Sequence, residues 1–212
     1  MTESAPVDPK GKPLSVIAAY SMTGSVAILA LMHFIEPQFD PTWRFISEYS
    51  LGNAGFLMKI AFAFLGIGQI SFAVSALVRR RKWWDYLAAA ILVIAGVGSI
   101  LACIFNTDPI TTPIQSLSES GKMHVFGASL GYTPIALMIF SFSQTVGSPQ
   151  KWKRTVLVSI AGAGVLLTVL FMLSMPADLK FGQHVFTGLI GRFLVASYAA
   201  WFICFPGSLK LG

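Results

Sequence analysis

Long apolar windows separated by short polar breaks make up almost the whole chain. Six of them are long enough to cross roughly 30 Å of hydrocarbon at about 1.5 Å per helical residue. They fall at residues 14–35, 55–78, 84–105, 121–144, 155–175 and 182–204. The pattern predicts an all-α fold: a polytopic six-transmembrane-helix bundle forming one membrane domain over 14–205, between short tails at 1–13 and 206–212. Neither an A-x-A-like cleavage site nor a short apolar core marks the first window as a removable leader, so it is expected to remain as a span.

The breaks carry their own local signals. Pro37 cannot continue a helix, which places His33 and Glu36 in the last turn of the first span. The link Phe39–Ser50 is polar and aromatic-rich, with Trp43, Phe45 and Ile46 as its apolar positions, and is expected to lie along the interface as a short amphipathic segment. Leu51-Gly-Asn-Ala-Gly55 supplies a turn, with Asn53 a candidate N-cap for the second span. Gln69 is expected to face a neighbouring helix, and Gly96, Ser99 and Cys103 lie along one side of the third span, where small residues permit close helix approach. Pro134 predicts a kink in the fourth span.

Composition excludes a soluble class, since 55% of residues are hydrophobic and only 11% are charged. Basic residues are distributed by side. Lys10, Lys12, Arg79 through Lys82, Lys151, Lys153, Arg154 and Lys210 share one face, against Arg44, Lys59, Lys122 and Lys180 on the other. Cytoplasmic loops carry the excess of Lys and Arg, so both termini are expected to be cytoplasmic. The net charge of +6 is then mainly a topology signal, and no nucleic-acid partner is indicated. Cys103 and Cys204 fall at opposite ends of their spans, about a membrane thickness apart, which rules out a bond between them.

Candidate chemistry collects on the acidic, outer side. Arg192 follows His184 and Gly188 at i+8 and i+4 in the sixth window, and an arginine inside a span needs a partner or a wet cavity. Glu48 and Asp108 are the candidate partners, either in a structural ion pair or beside a bound anion. His33, His124 and His184 all come out at the outer interface, where three imidazoles could hold zinc with water in the fourth position and Glu48 or Asp108 as base. No close His/Glu/Cys motif supports zinc, so the cofactor is left open. Spans two, four and six start at the outer face, where helix N-termini attract anions. His124, His184 and Arg192 could therefore form a pocket for a phosphate or carboxylate headgroup.

Asp40-Pro41, Arg44-Phe-Ile-Ser-Glu-Tyr-Ser-Leu-Gly52, Gly55-Phe-Leu-Met58, Phe105-Asn-Thr-Asp-Pro109, Gly121-Lys-Met-His124 and Gly188-Leu-Ile-Gly-Arg192 occur in this order. Together they resemble the bacterial membrane family catalogued as domain of unknown function 998, from the first span to the sixth. Asn106 stands where the family pattern has Pro. The resemblance implies a six-helix bundle in a bacterial cytoplasmic (inner) membrane in which Arg44, Ser47, Glu48, Asp108, His124 and Arg192 meet, and it implies no reaction. Three functions are compatible with these residues. The favoured one is an outer-facing polar pocket that binds or transports an anionic membrane lipid or a small anion. The second is a membrane hydrolase or transferase with Glu48 or His124 as general base, with or without a metal. The third is an accessory subunit docked on a membrane-protein partner or on another copy of the chain.

Overall fold

The computed structural model describes residues 11–79, 83–145 and 151–205. Lys10, Arg80 through Lys82, Lys210 and most of both expected tails lie outside the described residues. The helices are α1 (Gly11–Ile35), α2 (Gly55–Arg79), α3 (Trp83–Ile104), α4 (Glu119–Ser129), α5 (Thr133–Thr145), α6 (Lys151–Leu173) and α7 (Thr187–Cys204). The described residues contain no strand. Six stretches are long and apolar enough to cross a membrane, α4 and α5 together making the fourth. Cys103 and Cys204 are both free, the first partly buried and the second exposed.

Two windows depart from expectation. The fourth breaks at Leu130-Gly131-Tyr132 between α4 and α5, because Pro134, in the first turn of α5, brings no N–H for the Leu130 carbonyl and its ring would clash with that carbonyl in a continuous helix. The break largely satisfies itself: the Gly131 N–H donates to the Ala128 carbonyl (3.1 Å) and the Ile135 N–H to that of Tyr132 (3.1 Å). The sixth span begins at Thr187 rather than 182. His184 therefore sits on an exposed connection, and only Gly188 and Arg192 of its expected row are helical.

The α1–α2 connection packs onto α2 and α7. It folds inward as a 3-10 turn over Ile46–Leu51 that buries Glu48 and Tyr49. Glu36 fastens its two ends, accepting the Ala54 N–H and the Gln38 amide at 2.5 Å each. A buried carboxylate needs such donors to offset lost hydration.

The six spans form a ring in which each packs on its chain neighbour and α7 returns to α1. Two glycine pairs set close crossings. A Cβ on Gly66 would lie 2.8 Å from the Gly96 carbonyl, and one on Gly98 would lie 2.3 Å from that of Gly127. At the end carrying the short connections, the ring is filled by aromatic side chains. Phe72 meets Phe140, Trp201, Phe202 and Phe205 edge to face at 5.0–5.3 Å. Trp201 is fully buried and donates its indole N–H to Ser141 Oγ (2.7 Å). The end carrying the long connections, 36–54, 105–118 and 174–186, is packed differently and holds the polar residues.

Candidate functional site: a polar clamp above an apolar chamber

Side chains on a helix lean toward its N-terminus, so Arg192, in the second turn of α7, reaches back to the loops rather than deeper into the bundle. Its guanidinium makes four hydrogen bonds. Nε donates to His33 Nε2 (2.8 Å), Nη1 to the carbonyls of Arg44 (2.7 Å) and Gly188 (3.0 Å), and Nη2 to the Tyr49 hydroxyl (3.2 Å). The charge also lies 5.4 Å from the Tyr49 ring centroid. The ion pairs among the described residues are Arg44–Glu48, Lys122–Glu119 and Lys180–Asp178, so Arg192 is held by neutral groups. His33 completes its bonding by donating from Nδ1 to the Leu29 carbonyl (2.7 Å), since a carbonyl can only accept. A metal on His33 would displace one of those two bonds.

Glu48 organises the neighbouring half of the clamp. It is 1% exposed. Oε1 pairs with Arg44 Nη1 (2.7 Å) and accepts the Ile110 N–H (2.9 Å), while Oε2 accepts the Phe45 N–H (3.2 Å). One carboxylate thus joins the first long connection to the second. The Arg44 guanidinium stacks on Trp43, 4.4 Å from its ring centroid. Asp40 accepts the hydroxyl (2.7 Å) and backbone N–H (2.9 Å) of Thr42. Those two bonds hold its carboxyl below the ordinary value of 3.8, with the Arg192 charge a smaller contributor.

The same loop lies directly on α7. The Leu189 N–H donates to the Thr42 carbonyl (2.9 Å), and a Cβ on Gly188 would meet the Arg44 carbonyl at 2.4 Å. Gly188→Ala is expected to push the loop off the helix, costing about 1–2 kcal/mol after the better helix propensity of alanine is credited. Thermal unfolding in detergent measures it. An unchanged midpoint would mean that the loop gives way freely.

Asp108 turns inward on its own loop. It accepts the Ser118 N–H (2.8 Å), and Ser118 Oγ in turn caps α4 by accepting the Gly121 N–H (3.0 Å). Gly121 is needed there, since its Cβ would lie 2.0 Å from the Asp108 carboxylate. His124 is 3% exposed and donates from Nδ1 to the Phe105 carbonyl (2.9 Å).

Below this clamp lies a chamber of about 430 Å³, inside the ring at the end with the long connections. Ser47, Thr107 and His124 line it at the end with the long connections, with Gln69, Ser99, Thr133 and Tyr198 further along the bundle. From Gly188 to Tyr198 it follows α7 for about 15 Å. Small and apolar residues from α2, α3, α4, α6, α7 and the connections beside them make up the rest of its wall, and the wall contains no Lys, Arg, Asp or Glu. α4 packs on α3 and has no substantial packing on α6 or α7 among the described residues. The chamber opens sideways in that gap, where the lining residues Val125, Ala128, Ser129 and Met172 are exposed.

The residues expected to meet are thus distributed over three places. Arg44, Glu48 and Arg192 join His33 and Tyr49 in the clamp, Asp108 is tied in through its loop, and Ser47 and His124 face the chamber. The three histidines are separated by role: His33 holds Arg192, His124 lines the chamber and His184 is exposed. No group of three or more His, Cys, Asp or Glu among the described residues is placed to hold a metal ion. Tyr198 and Thr133 were not singled out as site residues from the sequence. The signal available for Thr133 was its position beside Pro134, where a broken span exposes polar groups to its neighbours.

The family model described as Protein of unknown function (DUF998) matches residues 20–206. No curated protein and no solved structure matches the chain.

Proposed function

The chain belongs to the family Protein of unknown function (DUF998), and from that premise we propose that it binds a lipid-like amphiphile in the chamber, entering from the bilayer between α4 and α6. The observation that carries this reading is the chamber itself, an apolar volume of about 430 Å³ with a side opening between two candidate spans. Ligand sites of this kind are apolar, with a few placed polar groups that fix orientation. The bias of basic residues supports placing the long connections outside and both termini in the cytoplasm. The family resemblance supports a bacterial cytoplasmic membrane.

An anionic headgroup held by Arg192 is less well supported. Four of the five guanidinium N–H donors are already taken. Catalysis by Glu48 meets the same difficulty, because its carboxylate is buried and bonded to Arg44 and two backbone N–H groups.

Native mass spectrometry of protein released from mild detergent tests the binding reading. The wild-type chain is expected to retain one amphiphile per chain. Ala128→Trp places a large ring in the side opening from an exposed position and is expected to abolish retention with an unchanged unfolding midpoint. A wild-type protein that emerges empty, or equal retention by both, would overturn it.

A further inference from the structure

The deep end of the chamber says which part of the ligand goes there. Gln69, Ser99 and Thr133 form a chain of hydrogen bonds: Ser99 Oγ donates to Gln69 Oε1 (3.0 Å) and Gln69 Nε2 to Thr133 Oγ1 (2.8 Å). Gln69 is 2% and Thr133 1% exposed, so these groups satisfy one another inside the bundle. Tyr198 stands apart from them. It lines the chamber and is 8% exposed, and its hydroxyl has no hydrogen-bond partner among the described residues. A phenol in an apolar wall normally finds one, and this hydroxyl, unlike the sealed-off unpaired atoms Trp43 Nε1, Arg44 Nε and Asp85 Oδ2, is open to a molecule in the chamber.

The hydrocarbon of a ligand gains little by leaving lipid for this chamber, since lipid tails are as apolar as its wall. Preference must come from polar contact and shape. With no cation in the lining, a carboxylate or phosphate would be buried uncompensated at the deep end, which is costly. An uncharged oxygen acceptor would not be, and the free phenol O–H is a donor for it.

Resting on the amphiphile-binding reading above, we propose that the ligand enters polar end first, its uncharged carbonyl-type oxygen accepting from Tyr198 and its chain leaving through the gap between α4 and α6. The acceptor sits on the α7 wall formed by Leu194, Val195 and Tyr198. The chain follows Thr168, Phe171 and Met172 of α6 back to the bilayer.

Photolabelling in nanodiscs tests the orientation, using a long-chain methyl ketone with a diazirine beside its oxygen and the isomer with the diazirine at the far chain end. The oxygen-end probe is expected to label the peptide containing Leu194–Tyr198 saturably, and the far-end probe that containing Thr168–Met172. Tyr198→Phe should leave the unfolding midpoint in place and weaken saturation by about fivefold to tenfold, the value of one hydrogen bond. Unlabelled ketone should compete, and a long-chain carboxylate or an alkane should compete poorly. Oxygen-end labelling at Ser47, Thr107 or His124, equal affinity in Tyr198→Phe, or better competition by the carboxylate would overturn the proposal while leaving amphiphile binding intact. Failure of both probes to label any lining peptide saturably would instead remove the binding reading on which it rests.

Discussion

Arg192→Leu is expected to lower the midpoint of thermal unfolding in detergent by about 10 °C, corresponding to roughly 3 kcal/mol or more for a chain of this size. Four hydrogen bonds from a charged donor disappear together, leaving the Arg44 carbonyl, the Tyr49 hydroxyl and His33 Nε2 facing leucine. Arg192→Lys should recover less than half of the loss, because one ammonium on a flexible stem cannot reproduce a planar fork reaching in several directions. Below its unfolding temperature the leucine variant should still retain amphiphile, since Arg192 is not part of the chamber wall. Loss of ligand at unchanged stability would be the opposite pattern and would restore Arg192 as an anion site.

Glu48→Gln is the second large effect, at about 3 kcal/mol. The cost comes less from the lost attraction than from what remains, a guanidinium facing a neutral amide in a largely desolvated site. Arg44 Nε is already buried without a partner, which makes the remaining charge harder to accommodate. The Ile110 N–H would also lose a charged acceptor, so proteolysis within 105–118 should accelerate along with the fall in thermal stability. Adding Arg44→Gln should recover part of the loss, because the unpaired charge is then gone. If Glu48 were instead a general base, Glu48→Gln would leave both stability and loop protection near wild type.

The spans were legible because length and apolarity alone identify them, and Pro37 and Pro134 mark their interruptions through backbone chemistry that is local. Arg192 was legible as a group needing partners, but their kind was not. Whether a guanidinium meets carboxylates or carbonyls depends on which loop backbone lies over it, and the fold of 40–49 is set by tertiary contacts such as Leu189 N–H to Thr42 O. His184 came out misplaced on its expected helical row because no sharp start signal separates 182–186 from the apolar run that follows, whereas the helix starts at Thr187. The chamber was the least visible feature. Its wall draws on residues such as Ala95, Gly98, Ala102 and Gly191, and in sequence each of these looks like ordinary helix packing.

The aromatic cluster around Phe72 gives the chamber a direction. Phe72, Phe140, Trp201, Phe202 and Phe205 are each 4% exposed or less and lie outside its lining; Phe72 meets the other four edge to face, each contact adding about 0.5–1.5 kcal/mol beyond simple burial. On the amphiphile-binding reading proposed above, a molecule in the chamber would reach the bilayer through the α4–α6 gap and would face packed rings at the other end of the bundle. On that same reading, carriage through the bundle would require several of these ring contacts to part at once.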